Sequence, residues 1–550
     1  MDTRSDRRRV YRSRIEISVV AAITVVGLLL RLRSIGNSLF GDELSTYSIV
    51  TGHSLGSVLS TLDGHSVDLT PPLYFTLAWL AERFGSSPEL LRCAAFLAGT
   101  ATIPLTYLLG LRTVGRSAAM VGSALVALSP FLIFYSTEAR AYALVMFLVL
   151  ASTLALLEAI SRNRLGWWAA YAVLGCAAMY SHYTAVFALA AQLLWALVVH
   201  PERTRGLVGA NLATAIGFAP WLPALINNTS SFGTQVFGIV DPFGLHAVTH
   251  DLSLWAIGHP YIELSSEPGT VAIVLILAGL AGAGALGVLE GRRERSIPAL
   301  RSSALLLPVL LALALPVGLA LYSSVRTSVW DVRNLITSWP GFALVLGALL
   351  ARPRRPLRFL TAGLVIAGFT IGAVKLLAVD NQRPDYAAAA GFVLAHGGEN
   401  DPVAIVAAPT PGPYSAMDAA FAYAGDPGRR LLRIGAAPLR AVLKAPPYAL
   451  LPPTPASTLA VQTAARGANG DVFVVAPGTA TGGQLLRSAS VDGPAVLGPV
   501  FGTGPSGALF VTVFKPLSAY LRALSRHFAL VQTRRLPGFL RLSVYVFRRR

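Results

Sequence analysis

Cysteine is nearly missing from this 550-residue chain. Only Cys93 and Cys176 occur, both inside apolar runs, which excludes a disulfide framework or a metal knuckle. Lysine is almost as scarce, at Lys375, Lys444 and Lys515, and arginine supplies the remaining basic residues. Acids are few too, 27 against 45 Lys and Arg, giving a formal net charge of +18. No GKS/T string occurs, so nothing marks a nucleotide-phosphate loop, and no internal repeat points to a solenoid. The first apolar run lacks a small-residue cleavage site and further runs follow it, so no cleaved signal is expected.

What the chain has in abundance is apolar surface: 54% hydrophobic against 13% charged residues and a positive mean hydropathy. These values describe a polytopic α-helical membrane protein and all but exclude a soluble one. The arginines sit mostly in short clusters between apolar runs, as cytoplasmic anchors do, so nucleic acid is not an expected partner. Runs at 16–34, 89–111, 117–135, 140–160, 166–181, 183–200, 206–226, 270–289, 301–322, 334–351 and 357–379 approach the roughly 20 residues of a spanning helix. PPLYFTLAWLAERFG from Pro71 is shorter and reads either as a twelfth span or as a helix lying in the interface. Charge decides. If this stretch does not span, the N-terminal RSDRRRVYRSR, Arg112 to Arg116, SRNR, PERTR, GRRER and RPRRP all fall in the cytoplasm. Eleven spans are therefore expected, with 35–88, 136–139, 227–269, 323–333 and everything after about 380 outside. The chain divides into a membrane domain, 1–379, and an extracytoplasmic domain, 380–550. In the second, short β-branched runs (PVAIVAAP, DVFVVAP, GALFVTVF) alternate with helical stretches (SAMDAAFAYAG, PLSAYLRALSRHF), the pattern of a small α/β unit.

Charge at the outer face is where chemistry is expected. SLFGDELSTY from Ser38 places Asp42 and Glu43 just after the first span. Asp42 alone reads equally well as a helix cap. A further acid, Glu138 in YSTEARAYAL, and Arg140 join them at the same membrane face, and convergence of charge from separate segments is the pattern of a site.

The string from Gly41-Asp42-Glu43 through PPLYF to SPFLIFYSTEARAYAL resembles the polyprenyl-phosphate-sugar-dependent glycosyltransferases of the GT-C fold. Within them it is most similar to the bacterial branch related to protein O-mannosyltransferases and the lipid A aminoarabinose transferase (glycosyltransferase family 39-like). YSHYTAVFALAAQ, FAPWLP, VRNLITSWPGFALVLGAL and RPDYAAAAGFVLAHGGENDP are similar in kind and order, so the resemblance covers residues 15 to about 405. Two positions depart from it: Asn334 follows Arg333 where the family often has Tyr, and Thr70 precedes the double proline where it often has His.

The resemblance implies a GT-C membrane domain with interfacial helices. It also implies transfer of a sugar, mannose or arabinose-like, from a polyprenyl-phosphate donor to a cell-envelope glycan, glycolipid or protein outside the membrane. A lipid phosphate lies at headgroup depth and calls for cations, for which Arg140 and Arg333 are the candidates. The acceptor hydroxyl must lose a proton, and by similarity the base is Asp42. Glu43 would orient Asp42 or the acceptor, and Glu138 would bind a donor hydroxyl or a divalent cation (Mg, Mn or Zn). With Glu138, His182 could complete an oxygen–nitrogen metal site, although a single His at a helix end more often caps or packs. His65 and Asp68 read as loop residues. The competing reading is a multi-pass lipid or solute transporter, which would place its polar residues near the bilayer midplane; here the acids lie at span ends.

Overall fold

The structure, a computed structural model, describes residues 3–63, 68–229, 243–293, 302–353, 357–406, 415–429, 431–434, 470–477, 521 and 524–550. His65, the GALFVTVF run, and parts of GRRER, RPRRP and PLSAYLRALSRHF lie outside them.

Each of the eleven apolar runs falls on helix. Eight helices among the described residues are long and apolar enough to cross a membrane. The 117–135 run is instead a broken pair, Arg116–Leu128 and Pro130–Ser136, bent by 60°. Leu165–Ser181 and Ala185–Val199 have 17 and 15 residues, at and below the lower end of what a span needs. The PPLYF stretch forms the nine-residue helix Leu73–Ala81 and a 3-10 turn, Glu82–Phe84, together too short to cross.

The break at Ser129 has a local cause. Pro130 cannot continue the preceding hydrogen-bond ladder but suits the first turn of a new helix, and the Ser129 hydroxyl accepts from the Leu132 amide at 3.3 Å. The carbonyls this leaves open at the end of Arg116–Leu128 are met by a buried cation. Arg31 donates to Ala127 O at 3.2 Å and Val126 O at 3.3 Å, as well as to Gly27 O in its own helix.

In the bundle, Tyr142–Arg162 packs against Leu165–Ser181 and Pro88–Thr113, and Arg116–Leu128 against Trp339–Leu350. Thr270–Arg293 lies along Leu357–Leu376 at a separation only small residues allow. A Cβ on Gly279 would stand 2.7 Å from Thr361 O, and one on Gly368 2.7 Å from Ala272 O, the close backbone approach typical of membrane helix pairs.

Beyond Leu376 the chain enters a sheet-containing C-terminal region. Its strands are β1 (Val403–Val406), β2 (Leu431–Ile434), β3 (Val472–Pro477), β4 (Phe528–Leu536) and β5 (Leu542–Arg549), in the order β2-β1-β3-β5-β4. The first three are parallel; β5 runs antiparallel to β3 and forms a hairpin with β4. Helices Tyr386–His396 and Ala416–Tyr423 cover the sheet through Ala389, Val393, Met417 and Phe421.

This region is tied to the loop that follows the first membrane helix. Gln382 Oε1 accepts from Asn37 Nδ2 at 2.6 Å and from the Ser34 hydroxyl at 3.0 Å, and Ser38 Oγ accepts from the Ala387 amide at 2.9 Å. The turn between β4 and β5 reaches the same place, with the Phe539 amide donating to Gln382 O at 2.8 Å.

Candidate active site

Gly41 turns the chain at φ +60°, a backbone conformation that favours glycine, and sets Asp42 at the head of the helix Glu43–Val50. The cap reading can then be decided by geometry. The Asp42 side chain makes no capping hydrogen bond; it pairs instead with Arg333 Nη1 and remains 33% exposed. Burial pushes its carboxyl up, but the charges of Arg333 and Arg140 outweigh this and hold it below the usual aspartate value.

Glu43, one residue on, has a different environment. It is fully buried, and Arg92 grips it with Nε on Oε1 at 2.6 Å and Nη2 on Oε2 at 2.7 Å. The amides of Ala139 (2.8 Å) and Phe40 (3.1 Å) donate to the two oxygens, and Arg383 Nε stands 3.4 Å from Oε2. Arg92 also donates to the carbonyls of Ile35, Asn37 and Ser38. A carboxylate with every acceptor direction engaged cannot meet a substrate, so Glu43 positions two loops against each other, the one bearing Asp42 and the one bearing Glu138.

Glu138 is the reverse case. It is buried, and its Oε2 has no hydrogen-bond partner among the described residues. Burial, reinforced by the negative charge of Glu43, pushes its carboxyl up to about 8. Among its charged neighbours are Asp42, Arg383 and Arg333.

The two candidate phosphate cations divide in their surroundings. Arg140 is nearly buried and forms a bidentate pair with Asp68, Nη1 to Oδ2 at 2.5 Å and Nη2 to Oδ1 at 3.2 Å, while Nη2 also reaches the Thr70 hydroxyl at 2.8 Å. Arg333 lies at the rim beside Asp42, with its Nε 2.9 Å from Asp331 Oδ2 and its guanidinium 6.0 Å from the Tyr142 ring centre. Both arginines act on Asp42, Tyr142 and His182, so the two do converge on one spot. Of the departures from the family pattern, Thr70 holds Arg140, and Asn334 turns away to donate to Val329 O at 2.8 Å.

His182 sits 5.6 Å from the Tyr142 ring, with Nδ1 2.8 Å from the Thr184 hydroxyl. Burial and the charges of Arg140 and Arg333 push it down to about 3, which keeps the imidazole neutral. Glu138 and His182, the pair expected to hold a metal, differ in their charged surroundings. Glu138 has Glu43, Arg383 and Asp42 around it, whereas His182 has Arg140 and Asp68, and the neighbour they share is the cation Arg333. Among the described residues no group of three or more His, Cys, Asp or Glu side chains could hold a metal ion.

Several residues here escape a reading of the sequence. Asp68 reads as a loop residue because its partner Arg140 is 72 positions away; its place just before the double proline was the available signal. Arg92 stands alone in an apolar run, and Arg383 belongs to RPDYAAAAGFVLAHGGENDP, a stretch noted only for its resemblance. Nothing in the pattern around Tyr261 or Phe539 marks them.

Comparison with known proteins agrees with this architecture. Residues 69–227 match the family described as Dolichyl-phosphate-mannose-protein mannosyltransferase. ArnT from Cupriavidus metallidurans in the apo state is similar in structure at 12% sequence identity, over 98% of each chain, with a TM-score of 0.54. The same protein bound to undecaprenyl phosphate is similar at 13% identity, over 96% of this chain and 97% of that one, with a TM-score of 0.52. No curated protein sequence matches the chain. The chain thus has the GT-C fold of the membrane glycosyltransferases, and the segment bearing Thr70, Glu138, Arg140 and His182 is the one that matches the mannosyltransferase family.

Proposed function

We propose that this protein is an integral membrane glycosyltransferase that moves a sugar, mannose or arabinose-like, from a polyprenyl-phosphate donor to a glycan, lipid or protein acceptor on the extracytoplasmic side. The observation that carries the reading is the pairing of Asp42 with Arg333: a partly exposed carboxylate that caps nothing, held by a cation at the rim of an otherwise buried charged network. That the ArnT structure similar to this chain was solved with undecaprenyl phosphate supports a lipid phosphate as the donor.

In this reading Arg333 meets the donor phosphate, and turning toward it loosens the grip on Asp42. A carboxylate freed from its cation is a stronger base, so donor binding itself prepares Asp42 for the acceptor hydroxyl. The acceptor oxygen attacks the anomeric carbon as its proton passes to Asp42. The bond to the phosphate oxygen breaks with its electron pair, and polyprenyl phosphate leaves as an anion that needs no general acid. Attack opposite the leaving group inverts the anomeric centre. Glu138, protonated at neutral pH, is then able to donate a hydrogen bond to a donor hydroxyl, while Arg140 stays on Asp68 and adds its field.

General-base assistance contributes about 10²–10⁴-fold. Asp42→Asn keeps the side-chain size and should lose transfer on that order while the protein folds and inserts like the parent. The assay is sugar transfer from a polyprenyl-phosphate sugar to an acceptor; near-parental turnover by Asp42→Asn would remove Asp42 as the base.

A further inference from the structure

We infer that Tyr261 is a further donor-site residue, its hydroxyl donating a hydrogen bond to the lipid phosphate beside Arg333, and that Phe539 of the C-terminal region fixes its ring for that task. This rests on the proposed glycosyl transfer. The ring of Tyr261 is held on several sides. Phe539 stacks on it with centroids 5.4 Å apart and planes 6° from parallel, Phe40 meets it edge-on at 5.7 Å, and Phe134 at 5.4 Å. Phe40 also meets Phe539 edge-on at 5.2 Å, so the three rings form one closed set. The backbone is held too, since the Tyr261 amide donates to His259 Nδ1 at 3.1 Å.

A ring fixed in this way aims its hydroxyl, and the phenol is electrostatically coupled to charged groups of the site: Glu138, Arg333, Asp42, Asp331 and Arg383. Among the described residues the hydroxyl has no hydrogen-bond partner. Burial, then the carboxylate of Glu138, hold the phenol well above its usual value, so it keeps its proton and remains a donor. Of the two cations coupled to it, Arg383 is buried against Glu43 and Arg333 is the more exposed, and a phosphate oxygen drawn to Arg333 is an acceptor within the same neighbourhood. The turn at Gly538 makes the arrangement possible. At φ +138°, with any Cβ 3.0 Å from Pro384 Cα, it lets the 537–541 turn press flat against the 382–384 segment and deliver Phe539 to the stack.

The test uses the full-length protein in lipid nanodiscs, with undecaprenyl phosphate as the phosphate probe and undecaprenol as its uncharged control. A hydrogen bond to a charged group is worth enough that Tyr261→Phe, which keeps the ring and its stack, should bind undecaprenyl phosphate about tenfold or more weakly and undecaprenol like the parent. Phe539→Ala should weaken phosphate binding in the same direction, and Phe539→Tyr should restore it. Unchanged phosphate binding by Tyr261→Phe, or equal weakening for both probes, overturns the assignment of Tyr261; unchanged binding by Phe539→Ala overturns the role of the stack. A parent protein that fails to bind undecaprenyl phosphate at all overturns the proposed function, and this assignment with it.

Discussion

Four carboxylates of the candidate site, beside Asp331 on Arg333, divide by environment, and the roles we propose follow that division. Glu43 is saturated and structural, Asp68 is spent on Arg140, Asp42 is shared with a rim cation, and Glu138 is buried with an oxygen left over. Glu138 gives the sharpest pH prediction. Its folded-state value near 8 lies above the ordinary 4.5, so the native protein keeps a proton that the unfolded chain releases. The stability it contributes is complete below about 4.5 and is lost as pH rises through about 8. Glu138→Gln should flatten the fall in thermal stability across that window, measured by unfolding midpoints from pH 4.5 to 8.5; an unchanged slope would place the titrating group elsewhere. Asp42, Glu138, Arg140 and Arg333 were readable from the sequence because charge at the end of an apolar run is conspicuous. Their division of labour was not, because it depends on Arg92, Asp68 and Arg383, whose partners lie far along the chain. Glu43 illustrates the point: in the sequence it reads as a residue that orients Asp42 or the acceptor, and the Arg92 fork that holds it leaves no trace in the pattern.

The helices were readable as apolar runs, and the short PPLYF helix followed from the placing of arginines. The 60° break between Arg116–Leu128 and Pro130–Ser136 was hidden inside one continuous apolar stretch. What the break does is deliver the Glu138–Arg140 turn to the site, and Arg31 is the side chain that satisfies the carbonyls it opens. Arg31→Met keeps the bulk and removes those hydrogen bonds. Leaving buried carbonyls unpaired costs about 1–3 kcal/mol, so a lower unfolding midpoint is expected in nanodiscs. An unchanged midpoint would mean that Ser129 and Pro130 hold the break without help. The insertion of the β4–β5 turn was equally hidden, since a Pro-Gly-Phe turn reads as an ordinary hairpin loop.

For the chain as a whole, the eleven-run count and the placing of arginines lead us to propose that the N-terminus is cytoplasmic and the C-terminal region lies outside. Reporter fusions check this directly: one after Asn163, in the turn between two membrane helices, and one after Gly425 should report opposite sides of the membrane. The same side for both would overturn the topology and separate the sheet region from the outer face. Phe40, near the beginning of the chain, rests against Phe539, near its end. On the topology we propose, the strands flanking Phe539 are made and exported after the loop that carries Phe40, so the aromatic set closes only once β4 and β5 have folded. On that topology a chain clipped before Phe539 keeps Asp42 but lacks the ring that stacks on Tyr261.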